Sequence, residues 1–175
     1  MERPQVSVFL GLSLDGFIAG PAGELDFLSA VATDPPEDTG YDALMAACDA
    51  VAMGRNSYDK VATFDPWPYA GKRVVVLTRR DLAPRAGVER AHGDLATVLG
   101  ALAAQQVRHV YLDGGDAVRQ ALQAELVDTL TLSWVPIVLG TGITLFDGTL
   151  PFSRWRLVSG RHFPSGLVQA RYRRA

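Results

Sequence analysis

Apolar residues fall along this chain in short, unbroken blocks that each stop at a polar or glycine-bearing turn. Val6 to Leu14 ends at Asp15-Gly16, and Ala50 to Met53 ends at Gly54. Within Lys72 to Thr78 the run Val74-Val75-Val76-Leu77 leads into Thr78-Arg79-Arg80, and His109 to Leu112 meets Asp113-Gly114-Gly115-Asp116. Apolar blocks of this length without alternation predict strands buried on both faces, the kind found in parallel sheets. Between the blocks the period becomes helical. Tyr41 to Cys48 sets Leu44, Met45 and Cys48 on one face, a helix starts near Asn56, and Ala117 to Ala124 spaces Val118, Ala121 and Leu122 helically. The clearest helix follows Gly93-Asp94, where Leu95, Val98, Leu99 and Leu102 form an apolar stripe with Asp94 as its cap.

Phe17 to Pro36, with Gly20-Pro21-Ala22-Gly23 and Asp34-Pro35-Pro36, reads as a long irregular connection of the kind that often binds ligands. The last quarter has strands without intervening helices: Thr129 to Val138, Trp155 to Arg161 and Leu167 to Tyr172, with Pro164-Ser165-Gly166 as a hairpin turn. The expected fold class is therefore α/β, with a mostly parallel central sheet, helices on both faces and antiparallel C-terminal edge strands. Ligands in such sheets sit at the C-terminal strand ends.

The 175 residues are expected to form one domain, 1–175, and 48% apolar with 21% charged residues excludes a disordered chain. A formal net charge of −2 predicts no strong nonspecific attraction to nucleic acid or to an anionic membrane. One cysteine, Cys48, allows no intramolecular disulfide, and no stretch has the length or apolarity of a membrane span or export signal. A soluble cytoplasmic protein is expected.

Standard catalytic templates fail. There is no GxxxxGK[ST] or HExxH motif, and His92, His109 and His162 are too scattered to suggest a metal site. Gly11-Leu12-Ser13-Leu14-Asp15 lacks the second glycine of a nucleophile elbow, and Gly140-Thr141-Gly142 lacks the third glycine of a dinucleotide fingerprint. Two strand-to-helix turns remain: Gly54-Arg55-Asn56-Ser57, and Asp113-Gly114-Gly115-Asp116-Ala117. Helix N-termini offer free N–H groups and the positive dipole end, and glycines permit close approach, so a pair of such turns points to an extended phosphate-containing ligand. The first turn also has a plainer reading, a capped helix with Arg55 as a surface arginine. Thr78, Arg79 and Arg80 after the third strand are placed to hold a further phosphate monoester, or else form a solvated basic turn.

These residues resemble the dihydrofolate-reductase-like fold, and within it the reductase domain of bacterial bifunctional riboflavin-biosynthesis proteins and their stand-alone relatives. The resemblance is carried by Ser13-Leu14-Asp15-Gly16-Phe17, Gly23-Glu24-Leu25-Asp26-Phe27, Met53 to Tyr58, Val74 to Thr78, Asp113-Gly114-Gly115, Leu126 to Leu130, Pro136 to Gly140 and Leu145-Phe146. It implies an NADPH-dependent reductase with a single three-layer domain and a small ring-containing substrate. In that family the pyrophosphate lies across the turns matched by Gly54 to Ser57 and Gly114 to Ala117, and the 2′-phosphate lies near Thr78 to Arg80. Phe27 would lie near the nicotinamide. Asp15, at the mouth of the site, and Asp113, at a substrate-contacting position, are the candidate catalytic residues.

The chain departs from the family at Phe17, where Arg or Lys often stands, and at Asp38 to Asp42, acidic where the family is basic. The riboflavin substrate is thus less firmly implied than NADPH. The alternative is a non-catalytic nucleotide or small-ligand binder on the same fold; a ligand-free interaction domain leaves the two glycine turns unexplained. An apolar edge strand at Thr129 to Val138 would favour a homodimer.

Overall fold

The computed structural model describes residues 3–175. Eight strands form one sheet in the order β5-β4-β3-β6-β1-β7-β10-β9. They are β1 (Gln5–Leu12), β3 (Ala50–Gly54), β4 (Arg73–Leu77), β5 (Val88–Ala91), β6 (His109–Asp113), β7 (Thr129–Trp134), β9 (Trp155–His162) and β10 (Val168–Arg174). The five pairings from β5 to β7 are parallel, and β10 and β9 close the sheet antiparallel. Two short strands, β2 (Phe17–Ala19) and β8 (Ile143–Thr144), pair separately. The chain thus has the α/β dihydrofolate-reductase-like architecture expected from its sequence.

Alternate residues of the apolar blocks face opposite layers. On one side Val6, Val8, Ala52 and Val75 pack beneath α3 (Leu95–Ala104) and α4 (Gly115–Gln123), with Leu99, Leu102, Val118 and Leu122 filling the interface. On the other, Val51, Met53, Val74, Val76 and Tyr111 pack with Tyr58 and Val61 of α2 (Arg55–Val61) and with Tyr41 and Leu44 of α1 (Tyr41–Ala47). Leu99 is 1% exposed, and its truncation to alanine is expected to cost about 2–5 kcal/mol. Asp94 caps α3 as expected, its carboxylate accepting from the Thr97 amide at 2.8 Å.

Two expectations change. The strand at Thr129 is interior, paired with β1 on one side and β10 on the other, so it offers no edge for a dimer. The C-terminal hairpin covers it, and β9 is the edge, with Leu157 and Val158 exposed. The irregular segment after β1 also contains β2 and a 3-10 helix, Asp26–Val31.

Candidate functional site

Parallel pairing brings the C-terminal ends of β4, β3 and β6 side by side, with Gly54 opposite Leu77 and Met53 opposite Asp113. From β3 the chain enters α2 on one face of the sheet, and from β6 it enters α4 on the other. Neighbouring strands whose helices leave to opposite faces must open a crevice between them. A cleft of about 760 Å³ lies there. Gly54, Arg55, Asn56 and Ser57 line it from the first turn, and Gly114, Gly115, Asp116 and Ala117 from the second. Thr78 and Arg79 reach it from the end of β4, and Ile18, Ala19, Gly23 and Leu25 from the segment after β1.

The two glycine turns meet. Gly114 has φ +89°, a left-handed conformation that disfavours side chains, and a Cβ there would collide with the Ser57 hydroxyl. Gly54 is different. Its backbone is extended, with φ −72° and ψ 163°, and among the described residues a Cβ built on it meets nothing within 4 Å beyond its own chain neighbours. Neither backbone nor packing requires glycine at this position; what a side chain would occupy is the cleft. No side chain caps α2 or α4, whereas the Asp94 side chain caps α3. The amides at the start of α4 therefore remain open to an anionic ligand.

The basic groups divide by role. The Arg55 guanidinium is committed to protein, donating to the Asp59 carboxylate at 2.7 Å and to the Asp81 carbonyl at 2.9 Å. Arg79 lines the cleft, while Arg80 points outward, 64% exposed and 4.0 Å from Asp59. The Thr78 hydroxyl accepts from the Arg80 amide at 3.0 Å and so shapes the turn. Asp116 pairs with Arg119, which also donates to the Thr144 carbonyl at 2.6 Å and ties α4 to β8.

Of the two expected carboxylates, only Asp113 lines the cleft. Its Oδ2 accepts from the Tyr69 hydroxyl at 2.9 Å and its Oδ1 from the Gly114 amide at 2.8 Å. Burial raises its pKa above the ordinary carboxylate value, and these donors only partly offset the effect. Asp15 instead accepts from the Leu139 amide at 3.1 Å and the Gly140 amide at 2.7 Å, staking the turn after β1 to the segment after β7. Phe27 is 9% exposed and packs with Val135 and Leu167, outside the cleft lining, because its 3-10 helix lies against the β7 end of the sheet.

Lys60, His92, Arg119 and Gln120 line the cleft without having been anticipated. Lys60 and Gln120 stand a turn or more into their helices, where spacing gives only a surface signal. His92 follows β5, an edge strand with too little apolar sequence to be recognised. Cys48 is buried, and burial pushes its thiol up to about 11, as suits a structural cysteine.

The sequence profile of the RibD C-terminal domain matches residues 4–169. The chain is 29% identical to the Bacillus subtilis (strain 168) protein YwjB, over the full length of both. A solved structure from Shewanella sp. PV-4, named for riboflavin biosynthesis, is 34% identical with TM-score 0.91, covering 98% of this chain and 99% of that one. The Thermotoga maritima diaminohydroxyphosphoribosylaminopyrimidine deaminase/5-amino-6-(5-phosphoribosylamino)uracil reductase shares the fold at TM-score 0.68 and 16% identity, covering 99% of this chain and 57% of the longer one. The profile match runs from β1 into β10 and so takes in every strand end that forms the cleft, which makes this chain a member of the RibD C-terminal domain family.

Proposed function

We propose that the protein is an NADPH-dependent reductase acting on a polarised C=N or C=O carbon of a small ring-containing substrate. The observation that carries this reading is the convergence of three strand-end turns on one cleft, with open space over Gly54. Family membership supports it, as does the reductase activity named for the Thermotoga relative. The residues present fit the cofactor. Gly54 to Ser57 and Gly114 to Ala117 are assigned to the pyrophosphate, and Thr78 and Arg79 to the 2′-phosphate with Arg80 at its outer side.

When bound, NADPH supplies the hydride. The chain's own part is to bind, align and shield. Glycine at position 54 lets the ligand approach the backbone, and Ile18, Ala19 and Leu25 give the cleft an apolar side that excludes water. Asp113, the strand-end carboxyl of the cleft, is assigned to the substrate and to proton delivery. We assign Asp15 to holding the mouth of the site through Leu139 and Gly140, and Phe27 to packing the loop that carries Leu25.

The protein is further proposed to be cytoplasmic and homodimeric, its exposed β9 edge giving the second copy a place to pair. A monomer mass by light scattering would exclude the dimer. The reductase reading is tested by following NADPH absorbance with a panel of cyclic imines and carbonyl compounds. Steady oxidation that depends on substrate supports it; binding without turnover across the panel would leave the non-catalytic alternative.

A further inference from the structure

Tyr69 lies in the loop between α2 and β4 and is 4% exposed, yet its hydroxyl reaches the carboxyl that lines the cleft. Its ring is fixed from several sides. Trp67 meets it edge to face at 5.4 Å, Tyr58 meets Trp67 at 6.2 Å, and the Arg85 guanidinium lies 4.3 Å over the Trp67 ring. The Tyr69 carbonyl also accepts from the Lys72 amide at 3.0 Å. A hydroxyl this constrained is a donor of fixed direction. The Asp113 carboxyl is thereby held at both oxygens, by Tyr69 on one and by the amide of Gly114 on the other.

We propose that Tyr69 is the positioning residue for Asp113, setting both the orientation and the protonation of the carboxyl that serves the reduction. This rests on the reductase reading above. Each carboxyl oxygen keeps a lone pair beyond the bond it accepts, so a proton can sit on Asp113 while both donors stay in place. In the reaction, the substrate carbon gains a hydride from reduced nicotinamide and the π electrons of its C=N or C=O bond move to the heteroatom. The heteroatom takes the proton from Asp113, and the carboxylate left behind is stabilised by the Tyr69 O–H and the Gly114 N–H until water reprotonates it.

Burial pushes the Tyr69 hydroxyl far above the usual phenol range, so within the pair it is Asp113 that exchanges its proton. Other titratable groups near Asp113 are Tyr111 on its own strand and Tyr41 from α1, both also raised by burial. The charged or titratable side chains lining the same cleft are Arg55, Lys60, Arg79, His92, Asp116 and Arg119.

The test is Tyr69→Phe, which removes one hydroxyl outside the cleft lining. The Asp113 carboxyl is titrated by ¹³C NMR in both proteins without ligand, and NADPH affinity is measured alongside. Loss of the donor destabilises the carboxylate, so the Asp113 titration is expected to move upward while NADPH affinity stays within about twofold. With a turned-over substrate, kcat is expected to fall tenfold or more with little change in KM, and the basic limb of its pH profile to move with Asp113. An unmoved Asp113 titration in folded Tyr69→Phe overturns the proposal. If that variant does not fold, Tyr69 is replaced by 3-fluorotyrosine, whose hydroxyl is a stronger donor in the same place: a downward move of the Asp113 titration sustains the proposal, and an unmoved one overturns it. Failure of wild type to bind NADPH would instead overturn the reductase reading, and the NMR titration distinguishes the two.

Discussion

The Arg55 guanidinium donates from Nη1 to the main-chain carbonyl of Asp81 at 2.9 Å, tying the first turn of α2 to the loop after β4. From the other side, Arg90 of β5 pairs with the Asp81 carboxylate. The segment that presents Thr78 and Arg79 to the cleft is thus clamped between α2 and the sheet edge. Arg55 connects the Gly54–Ser57 turn to the Thr78–Arg79 turn, a role its sequence context does not show.

Arg55→Ala is expected to weaken NADPH binding about 5- to 20-fold by releasing that loop, equivalent to roughly 1–2 kcal/mol, the scale of one or two exposed hydrogen bonds. Arg55→Lys keeps the charge but lacks the fork that spans Asp59 and Asp81, so most of the loss should persist. Fluorescence titration of each variant checks this; wild-type affinity in Arg55→Ala would remove the residue from the site.

The two glycines at the cleft should respond in opposite ways. Gly54→Ala places its methyl in open space on an extended backbone, so the melting temperature should fall by only the cost of a poorer helix cap, about 1 kcal/mol or less, while NADPH affinity falls at least tenfold. Gly114→Ala meets a positive φ and the Ser57 side chain, and is expected to cost about 1–3 kcal/mol, or roughly 2–10 °C in Tm for a chain of this size. Thermal melts with and without NADPH separate the two effects.

How much of this was legible in the sequence follows from where each signal lies. The continuous apolar blocks at Ala50, Val74 and His109 mark buried parallel strands, and their ends mark the cleft, because a parallel sheet gathers those ends together. β5 carries little sequence signal: in Val88–Ala91 only Val88 and Ala91 are even half-buried, and the strand pairs with β4 alone. The position of Asp113 in the cleft is legible because it stands at a strand end beside glycines, while its substrate role is implied only by the family resemblance. Tyr69 carried no signal, since a loop aromatic separated from Asp113 by 44 residues is joined to it only by folding. Asp15 and Phe27 were noticed through the same motifs as the cleft residues, but their partners are Leu139, Gly140, Val135 and Leu167.

The two carboxyls should also give opposite pH dependences. The Ser13 hydroxyl and the Leu139 and Gly140 amides hold Asp15 down at about 2. Its folded value is below the unfolded one of roughly 3.9, so its contribution is present above that pH and is lost as pH falls through the folded value. The Tm gap between wild type and Asp15→Asn is therefore expected to be widest near neutral pH and to close as pH approaches about 2. Asp113 is raised, so its effect runs the other way: wild type loses stability relative to Asp113→Asn as pH rises through the Asp113 value. Melting curves across the acid range test both signs, and parallel curves for wild type and variant would contradict either assignment.

The most direct test of a cofactor cleft formed by these three strand ends is a paired titration of the protein with NADPH and NADH, read by tryptophan fluorescence and by Tm. NADPH is expected to bind selectively and to stabilise in proportion to the logarithm of its concentration, reaching about 2.7 kcal/mol at a hundredfold excess over Kd. Arg79→Ala should erase most of the preference over NADH. Equal binding of the two would contradict the 2′-phosphate assignment at Thr78 and Arg79, and no response to either would contradict the reductase reading itself.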